Sequence, residues 1–140
     1  GDVYKRQTDK GTYEAKRIIL ANGGTPRKLG IPGEAELTGK GMGGRNQEIA
    51  LGAAEGIAGC RDTCVFSFGS DGTDGPTDAA GGFVDQDSFA ALRAAGLDPA
   101  DILRRNDAYP ALERIGGLIH TGPTGTNVND LAMLLLPRRE

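Results

Sequence analysis

Residues 69–82 place three aspartates (Asp71, Asp74 and Asp78), two threonines (Thr73 and Thr77), Ser70 and five glycines within fourteen positions. They follow directly on the short apolar run at 64–68, Cys-Val-Phe-Ser-Phe, which has the length of a buried strand. The glycines and Pro76 forbid a regular element immediately after that run. A polar loop therefore leaves the end of a strand, which is where open α/β sheets bind ligands. Glycine exposes backbone N–H groups and reaches positive φ, and closely spaced carboxylates suit a hard cation or a sugar-like hydroxyl. The same composition also suits a surface loop whose aspartates only cap their own turns, and from these residues alone both readings stand.

With 140 residues the chain has room for one domain and a real core. Sixteen Lys and Arg against nineteen Asp and Glu leave a net charge of −3, with no basic block and few aromatics to stack on bases, so nucleic acid is excluded as a partner. Cys60 and Cys64 are spaced C-x3-C with one distant histidine, His120, which matches no zinc or haem spacing and reads as free thiols in a reducing compartment. No apolar run reaches 18 residues and the start of the chain lacks the profile of a secretion signal. A soluble, cytoplasmic protein without a membrane partner is expected.

In chain order, residues 1–7 carry no pattern that predicts structure and read as a disordered leader outside the fold. Strands are expected at 12–15 and 17–21, followed by an extended loop at 25–34 with two prolines and two glycines. The glycine-rich turn at 39–46 then opens a helix over 47–58, with Asn46 as its N-cap and Ile49, Ala53 and Ile57 on its buried stripe. A glycine-rich turn at a helix start is also a candidate anion site, to which Arg45 adds positive charge. Asp87, Asp98 and Asp107 each start a further helix, the second with Pro99 at its first position, and Gly96 and Gly116 stop the first and third. Strands follow at 118–120 and 131–136, separated by the second polar loop, 121–130. His120 is expected to sit inside its apolar strand as a core residue. The fold class these elements predict is α/β, a single domain with a small mixed or parallel sheet flanked by helices.

Two stretches resemble known families. Residues 11–41, with Tyr-Glu-Ala-Lys at 13–16, Ile-Ile-Leu-Ala at 18–21 and Pro-Arg-Lys-Leu-Gly-Ile-Pro-Gly-Glu at 26–34, are similar to the part of thioredoxin-reductase-type flavoproteins that precedes their redox cysteines. The C-x-x-C pair and the dinucleotide fingerprint of that family do not follow here. Three motifs in order, Gly-Met-Gly-Gly-Arg-Asn-Gln-Glu at 41–48, the loop 70–81, and Thr-Gly-Pro-Thr-Gly-Thr-Asn-Val-Asn-Asp-Leu at 121–131, resemble the C-terminal MOFRL domain of two-domain glycerate kinases, also called hydroxypyruvate reductases. On these resemblances residues 8–39 are expected to be a flavoprotein-like fragment and 40–140 the MOFRL domain, joined near Lys40.

The second resemblance implies ATP- and Mg2+-dependent phosphorylation of glycerate to 2-phosphoglycerate, in a cleft between this domain and a larger N-terminal kinase domain absent from the chain. It implies that Arg45, Asp71 and Asp74 are catalytic, Arg45 forking onto carboxylate or phosphoryl oxygens, while Asp71, Asp74 and Asp78 hold magnesium, Asp71 and Asp74 foremost, or orient substrate hydroxyls. Asn46, Thr73, Asp78, Thr124, Thr126 and Asn127 are the implied substrate-binding residues. Alone, the chain is expected to be inactive. Two other readings remain at this point: a flavin-dependent reductase fragment resting on 11–41, and a non-enzymatic module that holds an anion in its glycine-rich loops.

Overall fold

The polar stretch that follows Phe68 joins β4 (Cys64–Gly69) to β5 (Gly81–Asp85), and the two pair antiparallel with Ser67 opposite Gly82. A computed structural model describes residues 4–8, 11–15, 19–20 and 41–137. From β5 the chain passes through α2 (Ser88–Ala94), α3 (Pro99–Arg105) and α4 (Ala108–Ile115) before returning as β6 (Leu118–Ile119) on the far edge of β5. The second polar loop then leads into β7 (Asp130–Leu135), which pairs with the other edge of β4. β3 (Ile19–Leu20) adds beside β7, so the sheet order is β3-β7-β4-β5-β6.

All four of these pairings are antiparallel, where a mixed or parallel sheet was expected; the α/β class and the flanking helices agree with the expectation. The reason lies in the connections. A parallel neighbour needs a crossover of a dozen or more residues, usually through a helix. Here β4 reaches β5 through a loop with no helix, and the helical excursion that follows brings β6 back antiparallel to β5.

Helices cover one face of the sheet. Leu51 and Ala54 on and just after α1 (Arg45–Ala53) pack with Val84, Leu92, Ile102, Ala108 and Leu112, and Val65 and Leu118 join from the same side. Gly82 faces this layer: a Cβ there would come within 2.6 Å of Leu112 Cδ1, so the absent side chain sets how closely α4 approaches. On the opposite face Phe66 and Phe68 stack with ring centroids 6.2 Å apart, and Phe66 lies between Phe83 and Met133 in register.

The helix signals held for α2, α3 and α4. Asp87, Asp98 and Asp107 occupy the three N-caps, Pro99 opens α3, and Gly96 and Gly116 take positive φ after α2 and at the end of α4. The helix expected at 47–58 differs. It runs Arg45–Ala53 with Gly44 as N-cap, and its buried residues are Asn46, Gln47, Ala50 and Leu51. Ile49, expected inside, is 49% exposed. Two polar residues choose the buried face here because both are hydrogen-bonded within the fold. His120 lies just beyond β6 and is exposed rather than in the core. Residues expected to form a disordered leader contribute β1 (Tyr4–Thr8), which pairs with β2 (Gly11–Ala15) in a separate two-stranded sheet. Alternation in Tyr-Lys-Arg-Gln-Thr is too weak to signal a strand, and pairing with the neighbouring segment supplies what composition does not. The loop expected at 25–34 lies outside the described residues.

Asp85 closes β5 onto α2: its Oδ1 accepts the N–H of Asp87 (3.0 Å), the N–H of Ser88 (3.0 Å) and the Ser88 hydroxyl (2.7 Å). The Ser88 hydroxyl is the main cause of a carboxyl pKa below the ordinary value of 3.8, against a smaller opposing effect of burial. The depressed folded-state value means that this bond's contribution is present above pH 3.8 and fades as pH falls through the folded value. Asp85→Ala is therefore expected to lower stability by about 1 kcal/mol at neutral pH, in the range of a lost N-terminal cap. Denaturant titrations at pH 7 and at about pH 2.5 check this: the deficit should shrink at the acid end, and an equal deficit at both would contradict it.

Candidate functional site

Three segments converge at one end of the sheet: the glycine-rich entry to α1, the loop 70–80 after β4, and the loop 121–130 before β7. What joins the first two is Asp74. Its side chain is buried, and the carboxylate accepts the backbone N–H of Asn46 (3.1 Å), the backbone N–H of Gln47 (2.9 Å) and the side-chain amide of Asn46 (3.1 Å). The first turn of a helix leaves N–H groups without partners, and a carboxylate from a distant loop satisfies them here. Asn46 and Gln47 complete the joint. The Ser67 hydroxyl donates to Asn46 Oδ1 at 2.5 Å, and Gln47 Nε2 donates to Thr77 Oγ1 at 2.9 Å. The anion expected at this helix start is thus one of the protein's own carboxylates.

Gly44 is required by that joint. A Cβ at this position would lie 2.2–2.4 Å from the Asp74 carboxylate carbon and oxygens. The turn before α1 is tied from its other side as well: Gly41 N–H donates to Arg105 O (3.1 Å), Met42 N–H to Asp107 Oδ1 (2.9 Å), and Tyr109 N–H to Met42 O (2.9 Å). The backbone that carries Arg45 is held by the sheet, the loop 70–80 and the turn between α3 and α4.

The second joint links loop 70–80 to loop 121–130. Ser70 N–H donates to Asn129 O (3.1 Å), Val128 N–H to Ser70 Oγ (2.8 Å), Thr124 Oγ1 to Ser70 O (2.5 Å) and Thr124 N–H to Asp71 O (3.2 Å). Asn127 Nδ2 reaches Asp71 Oδ2 at 3.0 Å, while Asp71 Oδ1 accepts the N–H and hydroxyl of Thr73 at 3.0 and 3.1 Å. Gly72, at φ +90°, passes so close to Gly122 that a Cβ would sit 2.0 Å from its carbonyl oxygen. Asn129, also at positive φ, bends the chain into β7.

Arg45 stands over both joints with its side chain 60% exposed, and its Nε donates to Asp130 Oδ2 in an ion pair. That bond is the main reason the guanidinium pKa is raised, with Asp74 and Asp71 adding smaller attractions. The same bond holds the Asp130 carboxyl below its ordinary value, helped by the Asn46 side chain and opposed by burial. Burial instead pushes the Asp74 carboxyl up, against the pull of the Gln47 and Asn46 N–H groups.

The sequence-derived site residues therefore fall into three groups. Arg45, Asp71, Thr73, Thr124, Thr126 and Asn127 gather at the exposed end, with Thr124 Oγ1 also bonded to Thr126 O (3.2 Å). Asn46 and Asp74 are at the same place but 1% and 3% exposed, and their polar atoms are directed inward. Asp78 is turned toward α4, where it accepts the Tyr109 hydroxyl at 2.7 Å. Among the described residues, no three His, Cys, Asp or Glu side chains converge as a metal site. The sequence places Asp130 and Ser70 in the polar loops and Ser67 in a strand without giving any of them a role; pairings across 85, 58 and 21 positions leave no local signal.

Comparison with known proteins fixes the family. The MOFRL family matches residues 29–130, and the chain belongs to it. It is 51% identical over 113 residues to D-glycerate 2-kinase of Thermotoga maritima, covering 79% of this chain and 27% of that protein. It is 45% identical over 136 residues to glycerate 2-kinase of Pyrococcus horikoshii, covering 97% of this chain and 29% of that protein. The crystal structure of glycerate kinase from Thermotoga maritima superposes with a TM-score of 0.69 at 53% identity, over 72% of this chain and 24% of that one. The chain thus spans less than a third of the length of these relatives. The family match starts eleven positions before the expected boundary at 40, and the Pyrococcus alignment takes in most of the stretch compared with flavoproteins.

Adding a methyl group to Gly44 forces Asp74 or the helix start to move, so Gly44→Ala is expected to lower stability by about 1–3 kcal/mol. Gly52 is exposed in α1 and its Cβ would have 3.8 Å to the nearest atom, Leu103 Cδ1. Gly52→Ala should raise stability by about 0.5–1 kcal/mol through helix propensity alone. Thermal unfolding of both variants beside the parent checks the pair, and a neutral Gly44→Ala would refute the tight joint.

Proposed function

We propose that this chain forms the C-terminal part of a glycerate kinase, which transfers the terminal phosphoryl group of ATP to glycerate to give 2-phosphoglycerate. The observation that carries this reading is the exposed Arg45 guanidinium, raised on a rigid helix start between two polar loops in a chain related to glycerate kinases. Phosphoryl transfer calls for positioning and neutralisation of charge more than for covalent chemistry by the protein. A planar guanidinium suits both a carboxylate and a phosphoryl group because its N–H donors match two oxygens at once. Thr124, Thr126 and Asn127 supply neutral hydrogen-bonding groups beside it.

Asp74 does not fit as a magnesium ligand: it is buried, and its carboxylate already accepts the Asn46 and Gln47 N–H groups. Asp71, half-buried, spends both oxygens on Thr73 and Asn127. In the proposed enzyme magnesium therefore arrives with the phosphates of ATP and takes its protein ligands elsewhere, as a cation that binds through substrate oxygens and few carboxylates can. The rest of the substrate pocket belongs to an N-terminal kinase domain facing this end of the sheet. No described helix is long and apolar enough to cross a membrane. A cytoplasmic location fits the need for ATP and the two free cysteines.

Given glycerate, ATP and magnesium, the purified chain should show no turnover, whereas the intact Thermotoga maritima relative should lose it by orders of magnitude when the residue aligned with Arg45 becomes alanine. A coupled assay for ADP release measures both. Near-normal activity in that variant would overturn the assignment of Arg45.

A further inference from the structure

Arg45 has two chemically distinct ways to offer its donors. The fork made by its terminal nitrogens suits a carboxylate or phosphoryl group, and the Nε side suits a fixed support. In this fold the support is Asp130, the first residue of β7, whose Oδ2 accepts from Nε. Asp130 is itself well fixed. Its side chain is 19% exposed, and Asn129 at positive φ sets the direction in which β7 leaves the loop.

We propose that Asp130 is the positioning residue of this site: it grips Arg45 by Nε and so directs the guanidinium's terminal nitrogens outward as a fork for a doubly coordinated oxyanion of the substrate. An exposed arginine without this support samples many rotamers, and fixing them before binding removes an entropic cost from every interaction the fork makes. The grip also explains why a loop ending in an acidic residue lies beside an arginine intended for anionic ligands. The carboxylate lies on the Nε side, and its charge steadies the cation without filling the fork. The assignment rests on the kinase reading only for the identity of the oxyanion.

Two measurements test it. In this chain, the Arg45 Nε–H should give a resolved 1H–15N signal protected from solvent exchange at neutral pH. Asp130→Asn should abolish that protection, and Asp130→Glu should restore part of it, with the backbone spectrum otherwise retained. In the intact Thermotoga maritima relative, asparagine at the position aligned with Asp130 should lower kcat at least tenfold relative to aspartate there, while KM for ATP changes less than twofold. The glutamate variant should recover part of kcat. A retained Nε–H signal in Asp130→Asn, or unchanged kcat in the relative, overturns the proposal. If the aligned arginine is indispensable and the aspartate is not, the positioning role fails and the kinase reading survives; if neither matters, both fail.

Discussion

The Asp74 carboxylate, buried against the first turn of α1, is the interaction on which the functional end of this fold depends. It answers two physical demands at once. A helix start has N–H groups that need acceptors, and a buried carboxylate needs donors around it. Each would be costly alone in the interior. Together they fix the distance between α1 and the loop after β4, and Gly44 is the residue that lets them meet. The net upward push on the Asp74 carboxyl shows that burial is not fully offset, so this joint carries a cost that the rest of the structure balances.

From that joint the site extends outward by hydrogen bonds rather than by apolar packing. Ser67 in β4 anchors Asn46, Ser70 and Asp71 hold the loop before β7, and that loop delivers Asp130 to Arg45. Up to Asp130, the steps use short polar side chains or backbone groups, which lose little conformational entropy when ordered. The apolar layer of α1, α2, α3 and α4 on one face of the sheet has a different task. It fixes the helices against β4 and β5, and so fixes where the polar end is built.

Much of this was legible in the residue order. Aspartate before each of α2, α3 and α4, Pro99 at the start of α3 and glycine after α2 and α4 are local signals, because capping is decided within a few residues. The apolar runs that became β4 and β7 were equally plain. So were the two polar loops after strands, and their family resemblance put Arg45, Asp71, Thr124 and Asn127 in one place. The buried face of α1 was misread because Asn46 and Gln47 look like surface residues until their distant partners are known. The strand directions were misread because composition records how apolar a segment is and not how the chain returns to it.

The sequence by itself determined the class of the fold, the positions of most helices and strands, the family, and which loops carry polar chemistry. Periodicity, caps and turn residues act over a few positions, and each is written where it acts. Only the tertiary structure decided the antiparallel order of the sheet, and only there did Asp74 prove to be a buried cap and Asp130 the support of Arg45. The last two depend on contacts between residues 28 and 85 positions apart, and such a contact has no trace in local pattern until the chain has folded.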